Sequence, residues 1–327
     1  MKHKKTVIMG MLFQAFLLTF TSTLKAEAKD FPSSTIHFVV PGAPGTALDI
    51  TARMLAEEIT KISNTPSIVM NRPGAGSQIG AEFVARSKPD GYTWLIAPFN
   101  VVGVNPHILN NAKDPFQEFS FLTTIFNAPY VLVAHPSVDA STPEEVIALA
   151  KANPGKLNYG SGGPGSANQL AAELFKNATD VDITEIPYPS AAMVMPDLLA
   201  GRLDLFFAGL GLVQSQIEAG TLKPIVMISS QRSELFPEIP TLNESGLTLS
   251  QMDTWTGILG PAGIPLHILQ IMHELTTQAL SNPSLKKTLA QKAIEVYTTT
   301  PEDMKKIAKE DYFRYGTILK DLNNSPR

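Results

Sequence analysis

Short apolar runs and longer stretches with helical periodicity alternate along most of this chain, and that alternation restricts the fold more than any other feature. Thr35-Ile36-His37-Phe38-Val39-Val40 reads as a buried strand and residues 41–45 as a tight loop. The next stretch reads as a helix, with Leu48, Ala52, Leu55, Ile59 and Ile62 recurring on one face. Residues 67–70 predict a second strand, 71–76 a loop, 79–86 a helix and 92–97 a third strand. Strands that alternate with helices pair side by side in one direction, so the pattern predicts an α/β unit with a mostly parallel sheet.

The pattern then starts again. Strands are expected at 130–134, 156–160, 183–186, 204–207 and 224–228, with helices at 142–152, 167–176 and 192–200. The breaker-rich Gly260-Pro261-Ala262-Gly263-Ile264-Pro265 precedes amphipathic helices at 266–280 and 301–322. A chain of 327 residues, 44% of them hydrophobic, can fill two medium-sized cores. Crossings between two lobes are expected near 125–130 and 252–259. They would make the first lobe discontinuous, residues 29–125 with 253–327, and leave 126–252 as the second.

Lys2, Lys4 and Lys5 precede an almost wholly apolar run at 6–20, and Ala26-Glu27-Ala28 follows. That is the layout of a secretory signal peptide, residues 1–28, cleaved after Ala28. The apolar run falls short of the roughly 20 residues of a membrane-spanning helix. The mature chain would start at Lys29 with net charge −7, a balance that disfavours a nucleic-acid partner. Zero cysteines exclude disulfides, thiolate metal sites and a lipidated cysteine. A free periplasmic protein without cofactor or metal is expected.

One tetrapeptide echoes between the halves: Pro44-Gly45-Thr46-Ala47 and Pro164-Gly165-Ser166-Ala167. Each follows a predicted strand and opens a predicted helix. There, unpaired N–H groups and the positive end of the helix dipole attract an anion, so two such places could grip one acid from both sides. The plainer alternative is that Thr46 and Ser166 are ordinary N-caps, worth about 1 kcal/mol each.

Gly160-Ser161-Gly162-Gly163-Pro164-Gly165 also fits the dinucleotide fingerprint, with Asp182 and Glu185 about twenty residues on. Against an exported dinucleotide enzyme, the preceding strand is short and polar, and Pro164 removes an N–H from the anion cradle. No serine has a G-x-S-x-G context, which excludes the hydrolase elbow. The six histidines show no ligand spacing, and Asp180 with Asp182 lacks the glycine and glutamate of a calcium loop.

Several longer motifs, taken in order, resemble a known family. They are Val39-Val40-Pro41-x-x-Pro44-Gly45, Asn71-Arg72-Pro73-Gly74-Ala75-Gly76-x-x-Ile79-Gly80-Ala81, Pro89-Asp90-Gly91-Tyr92-Thr93, Pro154-Gly155-Lys156-Leu157-Asn158-Tyr159, Leu198-Leu199-Ala200-Gly201-Arg202-Leu203-Asp204 and Gly260-Pro261-Ala262-Gly263. Together they look like the Bug receptors, the extracytoplasmic solute receptors of tripartite tricarboxylate transporters.

The resemblance implies a type II periplasmic-binding-protein fold, two Rossmann-like lobes with a ligand cleft between them. It also implies a small carboxylate held by backbone amides, hydroxyls and waters, and membrane permease subunits as partners. The family's binding loops match residues 42–49, 160–168 and 188–191. Two loops depart from the pattern: Thr46 and Leu48 stand where relatives carry a glycine and a hydroxyl, and Tyr188-Pro189-Ser190 replaces Tyr-Lys-Gly.

The expected ligand contacts are Gly45, Thr46 and Ala47 from one lobe and Ser161, Ser166 and Asn168 from the other. Tyr188 is expected as a wall or hydroxyl donor, and Asn100 either faces the cleft or serves a strand-end turn. Asp49 and Asp204 are read as structural, since a carboxylate would repel an anionic ligand. No catalytic residue is expected, and the protein is expected to be a monomer. A transport receptor, a ligand-reporting partner of a membrane sensor and an exported dinucleotide enzyme remain the three readings.

Overall fold

The computed structural model describes residues 31–110, 112–163, 165–229, 231–247 and 254–324. The segment read as a signal peptide lies outside the described residues, as does Pro164 of the second tetrapeptide.

Strand β1 (Ile36–Val40) leads into α1 (Ala47–Ser63), followed by β2 (Ser67–Asn71), α2 (Gln78–Ala85) and β3 (Thr93–Pro98). Thr46 caps α1, and Ala52, Leu55, Ala56 and Ile59 form its buried stripe. Each fully buried leucine or isoleucine contributes about 1.5–3 kcal/mol. The short helices α3 (Asn100–Gly103), α4 (Asn105–Ile108) and α5 (Pro115–Glu118) carry the chain to β4 (Phe119–Ala128).

Past Pro129 come β5 (Tyr130–Ala134), α6 (Pro143–Ala152), β6 (Asn158–Ser161), α7 (Ala167–Thr179) and β7 (Thr184–Pro187). They are followed by α8 (Met195–Leu199), β8 (Leu205–Gly209), α9 (Leu210–Glu218) and β9 (Lys223–Met227). The chain returns through β10 (Thr254–Pro261), α10 (Leu266–Leu280), α11 (Pro283–Ala290), β11 (Glu295–Val296) and α12 (Pro301–Asn324).

Two sheets result. The first has the order β11-β4-β10-β3-β1-β2 and the second β7-β6-β8-β5-β9. Neither is mostly parallel. Only the β2-β1-β3 and β7-β6-β8 segments are, while β10, β11, β5 and β9 pair antiparallel to their neighbours. The cause is the crossing itself. A chain that leaves a sheet at the end of β4 and re-enters it through β10 must run the opposite way on return.

That strand geometry brings the two helix starts toward each other. Strand β10 is antiparallel to both β3 and β4, so β1, β3 and β4 all end on the edge where the chain leaves for the second sheet. Strand β5 starts on the matching edge of the second sheet. Its antiparallel partner β8 therefore ends there, and so does β6, which runs parallel to β8. The loops that open α1 and α7 thus lie on facing edges, the crevice in which open α/β sheets bind ligands.

Helices cover both faces. Helices α1, α10 and α11 pack over Ile36, Phe38, Trp94 and Ile258 on one side of the first sheet. Helix α12 packs on α3 and β4 on the other side and reaches α7, so one apolar cluster joins Leu95 and Tyr315 to Tyr159 and Phe207.

Candidate ligand-binding cleft

The echoed tetrapeptides fold into the same device twice. Gly45 and Gly165 both adopt left-handed backbone, φ +85° and +73°, a conformation open to glycine at little cost. The next residue is the N-cap: Thr46 Oγ1 accepts from the Asp49 amide, and Ser166 Oγ from the Gln169 amide at 3.3 Å. The third helical residue then reaches back past the cap. Asp49 Oδ2 accepts from the Gly45 amide at 2.9 Å, and Gln169 Oε1 from the Gly165 amide at 2.7 Å.

Each reach-back side chain is tied in turn to the neighbouring strand. Asn71, at the end of β2, donates to Asp49 Oδ1 at 2.8 Å, and Gln169 Nε2 donates to Glu185 of β7 at 2.9 Å. The arrangement fixes the loops and leaves the first two amides of each helix, Ala47 with Leu48 and Ala167 with Asn168, without an intrahelical acceptor. Those amides and the dipoles behind them suit a small anion.

The two anchors differ in charge. Asp49 is 3% exposed and faces Arg53, which donates through Nε at 3.0 Å and lies 2.9 Å away through its terminal nitrogen. The guanidinium, helped by the Gly45 amide and the Asn71 side chain, holds the Asp49 carboxyl down to about 2 despite burial. Glu185 accepts from Ser161 Oγ and Gln169 Nε2 and has no ion-pair partner among the described residues.

A third segment borders the first loop. Ala75, Gly76 and Ser77 form a left-handed turn with φ +48°, +58° and +78°. Such values strain the alanine and serine, and two amides hold the turn in place. Asn100 and Asn105 both donate to the Gly76 carbonyl, at 2.8 and 2.9 Å, and Asn105 is itself 3% exposed. Gly80 packs against Pro41, which seats this turn beside the β1–α1 loop. Across the crevice, a Cβ on Gly165 would come within 2.9 Å of Ile108 Cδ1, so α4 reaches the opposite lobe.

The family model for the tripartite tricarboxylate transporter family receptor, TctC, matches residues 51–324. The chain belongs to this receptor family. It is 31% identical over 302 residues to a protein of Bordetella pertussis, covering 92% of this chain and 94% of that one. A TctC solute-binding protein from Polaromonas superposes with a TM-score of 0.80 at 26% identity, covering 89% of this chain and 99% of its own. Rpa4515 of R. palustris, solved with adipate, gives 0.76 at 27% identity, covering 89% and 98%. The two-lobed α/β fold and the receptor family expected from the motifs are therefore established.

Within this TctC-family chain, the residues singled out from sequence fall into different roles. Ala47 is exposed at the first turn of α1. Ser166 keeps its hydroxyl hydrogen free of any acceptor among the described residues, whereas Thr46 donates its own to the Ala43 carbonyl at 2.8 Å. Ser161 is fully buried, donates to Glu185 and accepts from the Gly163 amide. Asn168, 4% exposed, straps α7 to β8 by donating to the Phe207 carbonyl at 2.7 Å. Tyr188 donates to Asp197 at 2.6 Å, and Arg202 holds the same carboxylate. Asn100 donates to the Gly76 carbonyl of the neighbouring left-handed turn.

Asp49 and Asp204 both serve the scaffold, Asp204 by accepting from the Asn158 amide at 2.9 Å. Sequence reasoning missed Asn71, Asn105 and Gln169 as loop anchors, and weighed Glu185 only as an acid of the dinucleotide fingerprint. The first-turn pair had a signal: Asp49 and Gln169 each stand three residues after a hydroxyl N-cap, the spacing of a capping box.

Proposed function

We propose that this protein is an exported, monomeric receptor that is freed from residues 1–28, captures a small carboxylate between its lobes and delivers it to permease subunits in the membrane. The observation that carries the reading is the pair of matched helix starts on facing edges of the two sheets. Family membership and the adipate held by a relative support the chemistry. The proposed contacts are the amides of Ala47 and Leu48 on one side and the Ser166 hydroxyl with the Ala167 and Asn168 amides on the other. Gly45, Thr46, Ser161 and Asn100 hold the loops in shape, and Tyr188 borders the second loop. Binding serves transport, and no residue acts as a catalyst.

Calorimetry with adipate and shorter carboxylates tests the reading, together with small-angle scattering for closure. Binding should shrink the radius of gyration. Ser166→Ala should weaken binding by about 0.5–1.5 kcal/mol, the net range for one hydrogen bond. No carboxylate binding in the wild type, or full affinity in Ser166→Ala, would refute it.

A further inference from the structure

The charges around the cleft are distributed unevenly, and the unevenness bears on which acid fits. Loop residues 41–48, 73–80, 99–106, 162–168, 188–194 and 209–213 contain no lysine, arginine, histidine, aspartate or glutamate. The cations flanking them are engaged elsewhere. Arg53 pairs with Asp49, Arg202 pairs with Asp197, and Arg72 lies 3.8 Å from the centre of the Phe83 ring. The first-lobe anchor is therefore neutral as a unit, Asp49 with Arg53.

The second-lobe anchor is different. Glu185 sits under the β6–α7 loop, separated from the Gly163 amide by the Ser161 hydroxyl and from the Gly165 amide by the Gln169 side chain. The nearby Glu173 is balanced by Lys176 at 2.8 Å, and Glu185 has no such partner among the described residues. Its field reaches inward: burial first, then the negative charges of Glu173 and Glu185, push the Tyr159 hydroxyl far above its ordinary range. An anion docked on the α7 start would share this loop with a carboxylate that only the Ser161 and Gln169 side chains separate from it, and like charges in a common, partly desolvated site repel.

We propose that Glu185 is a specificity-determining residue that reserves the second-lobe end of the cleft for an uncharged group. The ligand is then a monoanion, with its single carboxylate on the α1 start and a neutral end on the α7 start. The inference rests on the receptor reading above and deepens it. Glu185 acts through the loop it underlies and touches no ligand itself.

Matched probes test it: adipate against its monoamide, and succinate against its monoamide, pairs of equal length that differ in one charge. Wild-type protein should bind a monoamide at least about tenfold tighter than the corresponding diacid. Glu185→Gln can still accept from Ser161, and it should raise diacid affinity about tenfold, the scale of one partly screened charge, with monoamide affinity changed less than about threefold. Glu185→Ala removes the same charge without setting a second amide beside Gln169 and should shift the ratio the same way, which guards against a misfolded first variant. Diacids binding tighter than monoamides in the wild type, or a ratio unmoved in both folded variants, would overturn the proposal. If none of the four probes binds the wild type, the receptor reading for short carboxylates fails as well.

Discussion

Replacing Asp49 by asparagine removes the charge that organises the first loop, and the structure gives both the size and the pH dependence of the effect. The carboxyl is held near 2 against an ordinary 3.8, first by Arg53, with burial opposing and Gly45 and Asn71 adding to the depression. A shift of that size corresponds to about 2.4 kcal/mol at about 1.36 kcal/mol per unit. Arg53 is half exposed, so part of the ion-pair share is screened, and about 1–2 kcal/mol is the expected loss. Because the folded value is depressed, the stabilisation is fully present above about pH 4 and disappears as pH falls through about 2. Urea unfolding at pH 7, 5 and 3 should therefore show Asp49→Asn destabilised at the first two and closing on the wild type at the third. A gap that is absent at pH 7, or that stays constant down to pH 3, would refute the account.

Thr46→Val removes a cap bonded on both sides and should cost about 1–2 kcal/mol of stability in thermal melts. Its effect on carboxylate affinity should be smaller than that of Ser166→Ala, because the Thr46 hydrogen already lies on Ala43. Gly165→Ala forces a side chain into left-handed backbone and against Ile108, and should lower stability by about 1–2 kcal/mol and slow or weaken closure in scattering titrations. Asn105→Leu strips a buried clasp from Gly76 and should destabilise by about 1–3 kcal/mol, with increased protease cleavage near residues 74–77.

Much of the fold was legible because its elements are locally specified. The expected helix at 266–280 coincides with α10, and the expected strand at 130–134 with β5. The helix rests on its apolar spacing, and the strand on a short apolar run bounded by Pro129 and Pro136. Strands β4 and β10 were not separated from the expected crossings, for a definite reason. Phe119–Ala128 is buried along nearly its whole length and Thr254–Pro261 along all of it, so neither shows an alternating pattern. Their antiparallel course is a tertiary fact, set by where the chain must re-enter the sheet. The predicted parallel sheets failed at those strands and at β5 and β9, and held in the β2-β1-β3 and β7-β6-β8 segments.

At the cleft, four-residue similarity between the tetrapeptides located the helix starts but could not say which hydroxyl stays available. That depends on acceptors distant in sequence or hidden in a turn. Ala43 takes the hydrogen of Thr46, while Glu185, twenty-four residues away, takes that of Ser161. The same spacing that marks both loops also conceals their difference. Aspartate and glutamine at the third helical position accept the same glycine amide with the same geometry. Yet the aspartate brings a charge neutralised one turn later by Arg53, and the glutamine leans on a carboxylate in the next strand that has no cation beside it among the described residues. Two loops built to one plan can therefore hold opposite ends of one molecule, because hydrogen bonds fix where each end sits and the charge behind each loop decides what that end can be.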